Sequence, residues 1–411
     1  MDVRISKSEV KGELVAPPSK SYTHRAFFAS ALSKKSVVKN PLISDDTLST
    51  LWSCIGMGAR VSRKAGNLYF RGTEEIRPGY YYAGNSGTTL RILISLLSLS
   101  ERASLVDGDE SLRKRPNLEL AEALMKLGAK ISGGDRFTAP LSVRGPIRGG
   151  VVRIAASSSQ FVTSLLFALP LLDEESTVIV EETKSRPYID VTLDVLERSG
   201  MKVEADGKEY HIHPSEFDLR EFQVPPDFSS LSYIVSAGVI AGEVKVNGVV
   251  DSRQGDKVFL DVVREMGGEV SWKGDVVVAR KSELEGIEFD ARDTPDLVPT
   301  IAVLAALAKG ETRIRNAEHL RIKETDRIRT VVENLKRLGV DARETRDGMI
   351  IRGGRIEPGT IDSFGDHRIA MAFSLLGLVG EVVIRDAECV GISYPSFFRD
   401  LMRIEARVEV L

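Results

Sequence analysis

The sequence contains little cysteine, no strong excess of charge of either sign and no hydrophobic run long enough to cross a membrane. Among 411 residues, Cys54 and Cys389 are the two cysteines, and they lack the paired spacing of a metal site or redox motif. Both lie in apolar surroundings, so we expect buried, reduced thiols and a cytoplasmic protein. The net charge of −3 excludes a global basic field for nucleic acid or membranes. An anion site must therefore be built locally, from particular lysines and arginines.

The longest uncharged stretch, residues 154–172, is broken by four serines, Gln160, a threonine and a proline. This composition favours a buried helix over a membrane span. Residues 1–10 lack the apolar core of a signal peptide. His211 and His213 alternate on a predicted strand without further ligands, so we expect surface histidines and no metal site.

A signature of about 70 residues recurs along the chain, which at this length predicts more than one domain. Each copy ends an amphipathic helix with a glycine that is followed by a strand. The glycine is expected at the left-handed position that closes a helix. A degenerate sixth copy has a glutamate there. The six positions are Gly58, Gly128, Gly200, Gly267, Gly339 and Glu405.

A second signature of six apolar, almost uncharged helices interleaves with the first. Because these helices are apolar on nearly every face, they must be buried. Each begins with a serine or aspartate, residue types that cap helices well. The predicted starts are Ser21, Ser86, Ser159, Ser229, Asp296 and Asp366. The repeated unit therefore contains one buried helix, one half-exposed helix and several short strands.

Six such units cannot surround one core, and two domains of three units are the economical arrangement. The break is expected near Pro225 and Pro226, where the chain must be extended. The first strand, ahead of Ser21, can pair with either half. A linear solenoid of six units is the structural alternative. Both arrangements are of the mixed α/β class.

Charged residues gather at the start of the buried helices. Lys20 and Arg25 flank the first, Arg91 lies in the second, Gln160 in the third and Arg368 in the sixth. Cations at a helix N-terminus are unfavourable unless an anion joins them. We therefore predict a bound polyanion, against the alternative of solvated surface charges.

Two further charged clusters stand apart from these helices, at residues 111–116 and 319–327. If the second cluster is helical, Lys323 and Arg327 lie on one face at i and i+4, with Glu324 beside them. An anion between the two cations is then expected. An exposed, charge-laced helix is the alternative.

At these positions the chain resembles the 5-enolpyruvylshikimate-3-phosphate (EPSP) synthase family along its whole length. Eight segments match in order, and together they are far more specific than any one of them. They are PSKSYTHR at 18–25, GNSGTTLR at 84–91, LRKRP at 112–116, SSQF at 158–161, SRPYID at 185–190, TPD at 294–296, RIKETDR at 321–327 and DHRIAM at 366–371.

The resemblance implies the enolpyruvyl transferase fold, an inside-out α/β barrel of two domains. Each domain has three βαβαββ units around buried parallel helices, and the domains close on the substrates. The N-terminal segment then belongs with the C-terminal half. The implied limits are 14–224 for the first domain and 1–13 with 225–411 for the second.

The resemblance also implies a reaction, the transfer of the enolpyruvyl group of phosphoenolpyruvate to shikimate 3-phosphate, without metal or organic cofactor. The implied catalytic groups are Asp296, Glu324 and Lys20. The implied ligands of shikimate 3-phosphate, with Tyr188 packing nearby, are Lys20, Ser21, Arg25, Ser158, Ser159, Gln160, Ser185, Asp296, His319 and Lys323. Those of phosphoenolpyruvate are Lys20, Gly87, Arg115, Gln160, Arg327 and Arg368. The expected partners are these two small molecules, and the expected assembly is a monomer.

Two positions depart from the family pattern. His319 stands where an asparagine is common, and Ile392 where a lysine often helps to bind phosphoenolpyruvate. Lys114 or Arg113 could supply the missing charge. The alternatives to this function are a sister enzyme acting on UDP-N-acetylglucosamine and a non-catalytic polyanion-binding module. The sister family uses a cysteine within the segment at 111–116, and none is present there.

Overall fold

A computed structural model describes all 411 residues. The helices are α1 (Lys20–Leu32), α2 (Asp45–Met57), α3 (Gly87–Leu97), α4 (Leu118–Lys126), α5 (Ser159–Ala168), α6 (Pro187–Arg198), α7 (Phe228–Ala241), α8 (Phe259–Glu265), α9 (Val298–Ala305), α10 (Arg327–Arg337), α11 (His367–Ser374) and α12 (Phe397–Arg403). Short 3₁₀ helices lie at Leu112–Lys114, Asp135–Phe137, Leu169–Leu171, Gly255–Val258, Pro295–Leu297, Glu318–Ile322, Leu375–Leu378 and Ala387–Ile392. No helix combines the length and the apolar character needed to span a bilayer.

The strands are β1 (Val3–Ser6), β2 (Val10–Val15), β3 (Ser36–Lys39), β4 (Arg60–Lys64), β5 (Asn67–Arg71), β6 (Tyr80–Tyr82), β7 (Ser104–Asp107), β8 (Lys130–Ser132), β9 (Leu141–Arg144), β10 (Gly150–Ala156), β11 (Ser176–Thr183), β12 (Val203–Asp206), β13 (Glu209–Ile212), β14 (Glu221–Gln223), β15 (Gly242–Asn247), β16 (Glu269–Lys273), β17 (Val276–Arg280), β18 (Glu288–Asp290), β19 (Glu311–Arg315), β20 (Asp341–Glu344), β21 (Met349–Arg352), β22 (Gly359–Asp362), β23 (Glu381–Arg385) and β24 (Arg407–Val410).

Each predicted repeat forms one sheet of four strands, and there are six such sheets. In the third, β10 and β11 are parallel and the buried helix α5 connects them. Helix α6 follows, and then β12 and β13 form an antiparallel hairpin that pairs β13 with β11. The predicted mixed α/β class of βαβαββ units is confirmed. Every sheet remains open, with free edges, so no closed β-barrel is present.

Two strands have exchanged places between the halves of the chain. β2 precedes α1 in sequence but pairs in parallel with β15, which follows α7. Conversely, β14 precedes α7 but pairs with β3, which follows α1. β1 also joins the second half, between β23 and β24. The N-terminal strands thus pair with the C-terminal half, as the family resemblance implied.

The chain folds into two compact units, which exclude a linear solenoid. One unit is residues 18–224 and the other is residues 1–17 with 225–411. Residues 14–17 therefore lie outside the unit to which the sequence had assigned them. The reason is that β2 continues to Val15, which is paired with Asn247.

The buried helices are those that the sequence predicted. All residues of α7, for example, are buried. A serine or aspartate side chain accepts a backbone N–H at five of the six starts. These caps are Ser19, Ser86, Ser158, Asp227 and Asp366. Ser86 and Asp366 are the predicted residues themselves, whereas the other three caps lie one or two residues before the predicted starts. The prediction for the fifth helix was wrong, because Asp296 lies inside the 3₁₀ turn Pro295–Leu297 and is not the N-cap.

The thiol of Cys54 is buried and that of Cys389 is half-buried, and neither forms a disulfide. Burial raises the pKa of Cys389 to about 12 and that of Cys54 far above its ordinary value. Both thiols therefore stay protonated and unreactive at neutral pH.

The glycines of the first signature take the conformation that was predicted for them. Their φ angles are positive, for example 78° at Gly200 and 79° at Gly339. Glu405, in the degenerate copy, takes the same conformation with φ at 67°. A residue with a Cβ pays about 1–2 kcal/mol for this conformation. The fold therefore imposes it even where the sequence does not favour it.

We expect Glu405→Gly to stabilise the protein by about 0.5–1 kcal/mol, because glycine relieves the backbone strain at some entropic cost. Urea unfolding measures the difference. The matched control is Gly200→Ala, which places a Cβ in open space at positive φ and should destabilise by a similar amount. An unchanged or lower free energy of unfolding for Glu405→Gly would show that position 405 is not strained.

Candidate functional site

In the unit of residues 18–224, the second turn of α1 holds a buried cation, Arg25. Its Nε donates to Thr192 Oγ1 at 2.8 Å, and its terminal nitrogens donate to the carbonyls of Ser21 and Tyr188 and to Thr163 Oγ1. All these partners are neutral oxygens. Burial lowers the pKa of Arg25 to about 10. A buried cation without a counter-charge is costly, so this place favours an anionic ligand.

Lys20 opens the same helix and forms an ion pair with Asp46. Its Nζ lies 2.9 Å from Asp46 Oδ2 in the first turn of α2. The side chains are only 16% and 8% exposed. The carboxylate thus neutralises a cation at a helix N-terminus. A ligand that binds to Lys20 must compete with Asp46 for it.

The starts of α3 and α5 meet through Gln160. Its Oε1 accepts a short hydrogen bond from Arg91, and its Nε2 donates to Thr88 Oγ1 at 3.1 Å. Gly87 lies directly beside this bond. A Cβ added there would approach Arg91 Nη1 to 2.7 Å and Gln160 Oε1 to 3.1 Å. A side chain at position 87 would therefore push aside Arg91 and Gln160, whose contacting atoms are the ends of flexible side chains.

The segment that contains Arg115 is folded back on Asn85. Arg115 donates to the carbonyl of Asn85 at 3.2 Å, to its Oδ1 at 2.8 Å and to Ser111 Oγ at 3.0 Å. Arg113 instead forms a bidentate pair with Asp107, at 2.9 and 2.6 Å. Hydrogen bonding to Arg113 lowers the pKa of Asp107. Of the two cations proposed to replace a lysine at 392, Arg113 is thus engaged, whereas Lys114 is exposed and has no ion pair.

The remaining predicted residues of this unit surround Arg25 and Gln160. Ser158 caps α5 by accepting from the backbone of Gln160, and Ser159 is the first residue of the helix. The carbonyl of Tyr188 accepts from Arg25. Ser185 is buried and has φ at 61°, a strained conformation for serine.

In the other unit, Arg327 is the most heavily engaged side chain, with only 1% of it exposed. Its Nε donates to Asp366 Oδ2 at 2.7 Å, its Nη1 to Asp296 Oδ1 at 3.1 Å and its Nη2 to Glu324 Oε2 at 2.6 Å. Burial alone would lower the pKa of Arg327. The carboxylates outweigh burial and raise that pKa above its ordinary value.

Asp296 joins two arginines of this cluster. Its Oδ2 lies 2.7 Å from Arg368 Nη2, and its Oδ1 is paired with Arg327. Burial alone would raise the pKa of Asp296. The charges of Arg368, Arg327 and Lys323 outweigh burial and hold the pKa well below its usual range. The carboxylate is thus ionised because of these cations.

The predicted helix through Lys323 is wrong. α10 begins at Arg327, and Asp326 caps it by accepting from the backbone of Arg329. Lys323 instead follows the 3₁₀ helix Glu318–Ile322, so the i and i+4 relation does not exist. The charge of Lys323 nonetheless acts on Asp296. His319 lies buried within the same 3₁₀ helix.

Ile392 ends the 3₁₀ helix Ala387–Ile392 and is half-buried. An apolar side chain there can supply no charge to a ligand.

The two units carry different chemistry. Residues 18–224 present cations held mostly by neutral oxygens, and residues 225–411 present carboxylates locked to arginines. The first set suits an anion, and the second contains groups that can move protons.

The comparison with known proteins agrees with this arrangement. Residues 5–401 match the family described as EPSP synthase (3-phosphoshikimate 1-carboxyvinyltransferase). A 3-phosphoshikimate 1-carboxyvinyltransferase of Archaeoglobus fulgidus is 58% identical over 413 residues, which is 99% of each chain. One of Methanosarcina mazei is 43% identical and covers 100% of this chain and 99% of its own.

The chain belongs to the EPSP synthase family.

Solved structures of similar proteins share the fold. An EPSP synthase of Acinetobacter baumannii is 28% identical, with a TM-score of 0.85 over 99% of both chains. The enolpyruvyl transferase NikO of Streptomyces tendae has a TM-score of 0.82 at 18% identity, over 99% of this chain and 98% of its own. This second likeness concerns the fold alone. Together they confirm the enolpyruvyl transferase architecture, and the family decides against the UDP-sugar alternative.

Several buried polar residues of this EPSP synthase family member were not predicted from sequence. Asp256 accepts a short hydrogen bond from Ser229 at the start of α7. Burial, then the charge of Asp296, raises the pKa of Asp256 to about 7. Asp46 and Asp366 were likewise missed as partners of Lys20 and Arg327. No local signal marked Asp256, which stands beside Lys257 in the polar stretch DSRQGDK at 251–257.

Proposed function

We propose that the chain transfers the enolpyruvyl group of phosphoenolpyruvate to the 5-hydroxyl of shikimate 3-phosphate and releases phosphate. This reaction belongs to the shikimate pathway of aromatic amino acid biosynthesis. One observation carries the proposal. In this member of the EPSP synthase family, Arg25 is buried at the predicted site with neutral oxygens as its only partners. An anionic substrate would supply the missing counter-charge.

We assign shikimate 3-phosphate to the residues around Arg25. Ser158, Ser159 and Gln160 offer hydroxyl and amide groups at the start of α5, where an anion is favoured by the helix dipole. Lys20 and Ser21 offer a cation and a hydroxyl at the start of α1. Ser185, Asp296, His319 and Lys323 complete the predicted set. The support is that the first five of these lie at two helix starts of one unit.

We assign phosphoenolpyruvate to Lys20, Gly87, Arg115, Gln160, Arg327 and Arg368. Arginine suits a ligand with a carboxylate and a phosphate, because the guanidinium binds both in bidentate fashion. Arg327 and Arg368 already hold Asp296. The carboxylate of the substrate would take over part of this pairing. The pKa of Asp296 would then rise from its depressed value, and its carboxylate would become a stronger base.

The chemistry proceeds by addition and elimination. The 5-hydroxyl oxygen attacks C2 of phosphoenolpyruvate, its proton passes to Asp296, and C3 gains a proton from Glu324, which must first leave its ion pair with Arg327 and take up a proton. The resulting tetrahedral intermediate then loses phosphate as its C–O bond breaks, and the departing phosphate takes the proton from Asp296, which restores the base. C3 returns a proton to Glu324, which restores the double bond. Lys20 and Lys323 balance the negative charge that develops on the oxygens.

Gly87→Ala tests the phosphoenolpyruvate assignment. The new methyl group would displace Arg91 and the amide of Gln160, and both are ends of flexible side chains. We expect the KM for phosphoenolpyruvate to rise about tenfold, which corresponds to ~1.4 kcal/mol of binding. The KM for shikimate 3-phosphate should rise less, because Gln160 is the one member of that set next to the new methyl group, and the melting temperature should change little. An equal rise in both KM values would contradict the assignment.

Asp256→Asn tests the buried carboxyl beside Asp296. Because the folded protein raises the pKa of Asp256 to about 7, the folded state binds more protons than the unfolded state between about pH 4 and 7. Ionisation of Asp256 therefore destabilises the folded state more and more as the pH rises through this window. Asparagine keeps the contact with Ser229 but cannot ionise.

We therefore expect the melting temperature of Asp256→Asn, relative to that of the native protein, to rise as the pH increases from 4 to 7. No further relative rise is expected above pH 8. The expected gain corresponds to a few kcal/mol, since one pKa unit equals about 1.4 kcal/mol. A difference that is constant with pH would mean that Asp256 does not titrate in this range.

The proposed function is tested by mixing the protein with shikimate 3-phosphate and phosphoenolpyruvate and measuring phosphate release. Release that needs both substrates would support the proposal and show that Ile392 is tolerated. Binding of shikimate 3-phosphate without any release would favour the non-catalytic alternative. We keep the monomeric assembly and the cytoplasmic location as parts of this proposal, to be tested by sedimentation and by fractionation of cells.

A further inference from the structure

A second concentration of positive charge lies in the unit of residues 18–224, on the outer face of the sheet β14-β3-β5-β4. An open groove of about 680 Å³ is lined there by Lys35, Arg60, Arg71 and Arg220 around the ring of Tyr69. No carboxylate lines the groove. Lys35, Arg60 and Arg71 form no ion pair, whereas Arg220 has an exposed pair with Asp218.

This groove is distinct from the candidate catalytic site. Lys35 follows the C-terminal end of α1, whereas Lys20 opens that helix. Thirteen residues of helix separate the two ends by about 20 Å, at a rise of 1.5 Å per residue. A ligand in the groove therefore cannot reach the buried Arg25 or the starts of α3 and α5.

Arg60 and Arg71 stand directly opposite each other on β4 and β5. Like charges in this position destabilise a sheet. An anion between the two guanidinium groups would therefore relieve their mutual repulsion. Protection of a sheet edge explains charges on β4, which is an edge strand. It does not explain Arg71 or Tyr69, because β5 is an inner strand.

Tyr69 supplies the second element of recognition. It is paired with Val37 on one side and Ser62 on the other, and it is 39% exposed. An exposed aromatic ring on a sheet face, beside arginines, is the arrangement that stacks a nucleic-acid base. One ring and this volume suit one nucleotide, since small-molecule sites measure about 300–1,000 Å³.

We propose that this groove binds a nucleotide, with its base on Tyr69 and its phosphates between Arg60 and Arg71. The occupant is thus a single nucleoside polyphosphate, not a polymer. Nucleotide binding here is separate from the proposed transfer reaction and does not depend on it.

The test is isothermal titration of the full chain with ATP and with tripolyphosphate, both without metal, at low ionic strength. We expect the double variant Arg60→Glu, Arg71→Glu to bind both ligands at least tenfold more weakly. Tyr69→Ala should weaken the binding of ATP at least fivefold and leave the affinity for tripolyphosphate within twofold of the native value. The control is Arg63→Glu, which makes the same charge reversal at a single position of β4 outside the groove and should leave both affinities within twofold of native.

All variants retain the residues of the catalytic site, so ATP that binds there is unaffected by them. Retained phosphate release and an unchanged melting temperature show that each variant folds. The proposal is overturned if the native chain binds no ATP, or if the double variant binds ATP as tightly as the native chain. It is also overturned if Arg63→Glu weakens ATP binding as much as the double variant does. An equal effect of Tyr69→Ala on both ligands would also overturn it.

Discussion

We expect Asp296→Ala to lower kcat about a thousandfold while the protein still folds, within the ~10²–10⁴ range for groups that transfer protons. Asp296 is the proposed acceptor of the 5-hydroxyl proton, and alanine leaves no group in its place. Folding should survive because Arg327 keeps Asp366 and Glu324 as partners after the change. Steady-state rates of phosphate release give kcat, and a thermal melt confirms the fold.

The matched control for this variant is Asp341→Ala, an exposed carboxylate on β20 of the same unit. Its kcat should equal that of the native protein within twofold. Asp296→Asn adds a sharper comparison, because the amide keeps the shape of the side chain but cannot accept the proton. A kcat for Asp296→Asn near the native value would remove Asp296 from the mechanism.

The second large effect is on stability, and it concerns Asp366. This side chain is fully buried and accepts from Arg327 Nε at 2.7 Å and Nη2 at 3.2 Å. It also caps α11 by accepting from the backbone of Arg368. Asparagine caps helices as well as aspartate does. Asp366→Asn therefore removes the charge and leaves the cap in place.

We expect Asp366→Asn to lower the free energy of unfolding by about 3 kcal/mol, since breaking a buried ion pair costs ~3–5 kcal/mol. The remaining carboxylates of Glu324 and Asp296 keep the loss at the low end of that range. Urea unfolding at neutral pH measures it.

The matched control for Asp366→Asn is Glu333→Gln. Glu333 pairs with Arg329 on the exposed face of α10, at 2.7 Å. Exposed pairs contribute little, so this change should cost less than about 0.5 kcal/mol. Equal losses for the two variants would show that burial of Arg327 does not set the energy of its ion pairs.

The sequence predicts local features of this fold well. The apolar helices and their caps follow from short-range periodicity, and the positive φ of the closing glycines follows from the need to end a helix. Glu405 has the same positive φ although a residue with a Cβ disfavours it, so the fold imposes this conformation at that position. Features that depend on a few neighbouring residues could therefore be located to within one or two positions.

Long-range pairing could not be predicted in the same way. The exchange of β2 and β14 joins strands separated by most of the chain, and no local pattern indicates which partner each strand takes. From the residues alone, the first strand could belong to either half. The family resemblance placed it correctly, but the limit at residue 14 was still too early.

The site shows the same division. Motifs indicated which cations matter, but not which carboxylates hold them. Asp46, Asp256 and Asp366 lie near Lys20, Asp296 and Arg327 only after folding. The segment at 319–327 looked helical because of its charge spacing. Asp326 instead caps α10, so the helix begins at Arg327. The side chain of Arg327 is buried in the core.

The most direct test of the account is the mass of the organic product formed in D₂O from shikimate 3-phosphate and phosphoenolpyruvate. Addition and elimination make C3 a methyl group for a moment, so the product should be the enolpyruvyl ether carrying deuterium at C3. Asp296→Asn should form it about a thousandfold more slowly. A product without deuterium, or phosphate release without the ether, would contradict the proposed transfer.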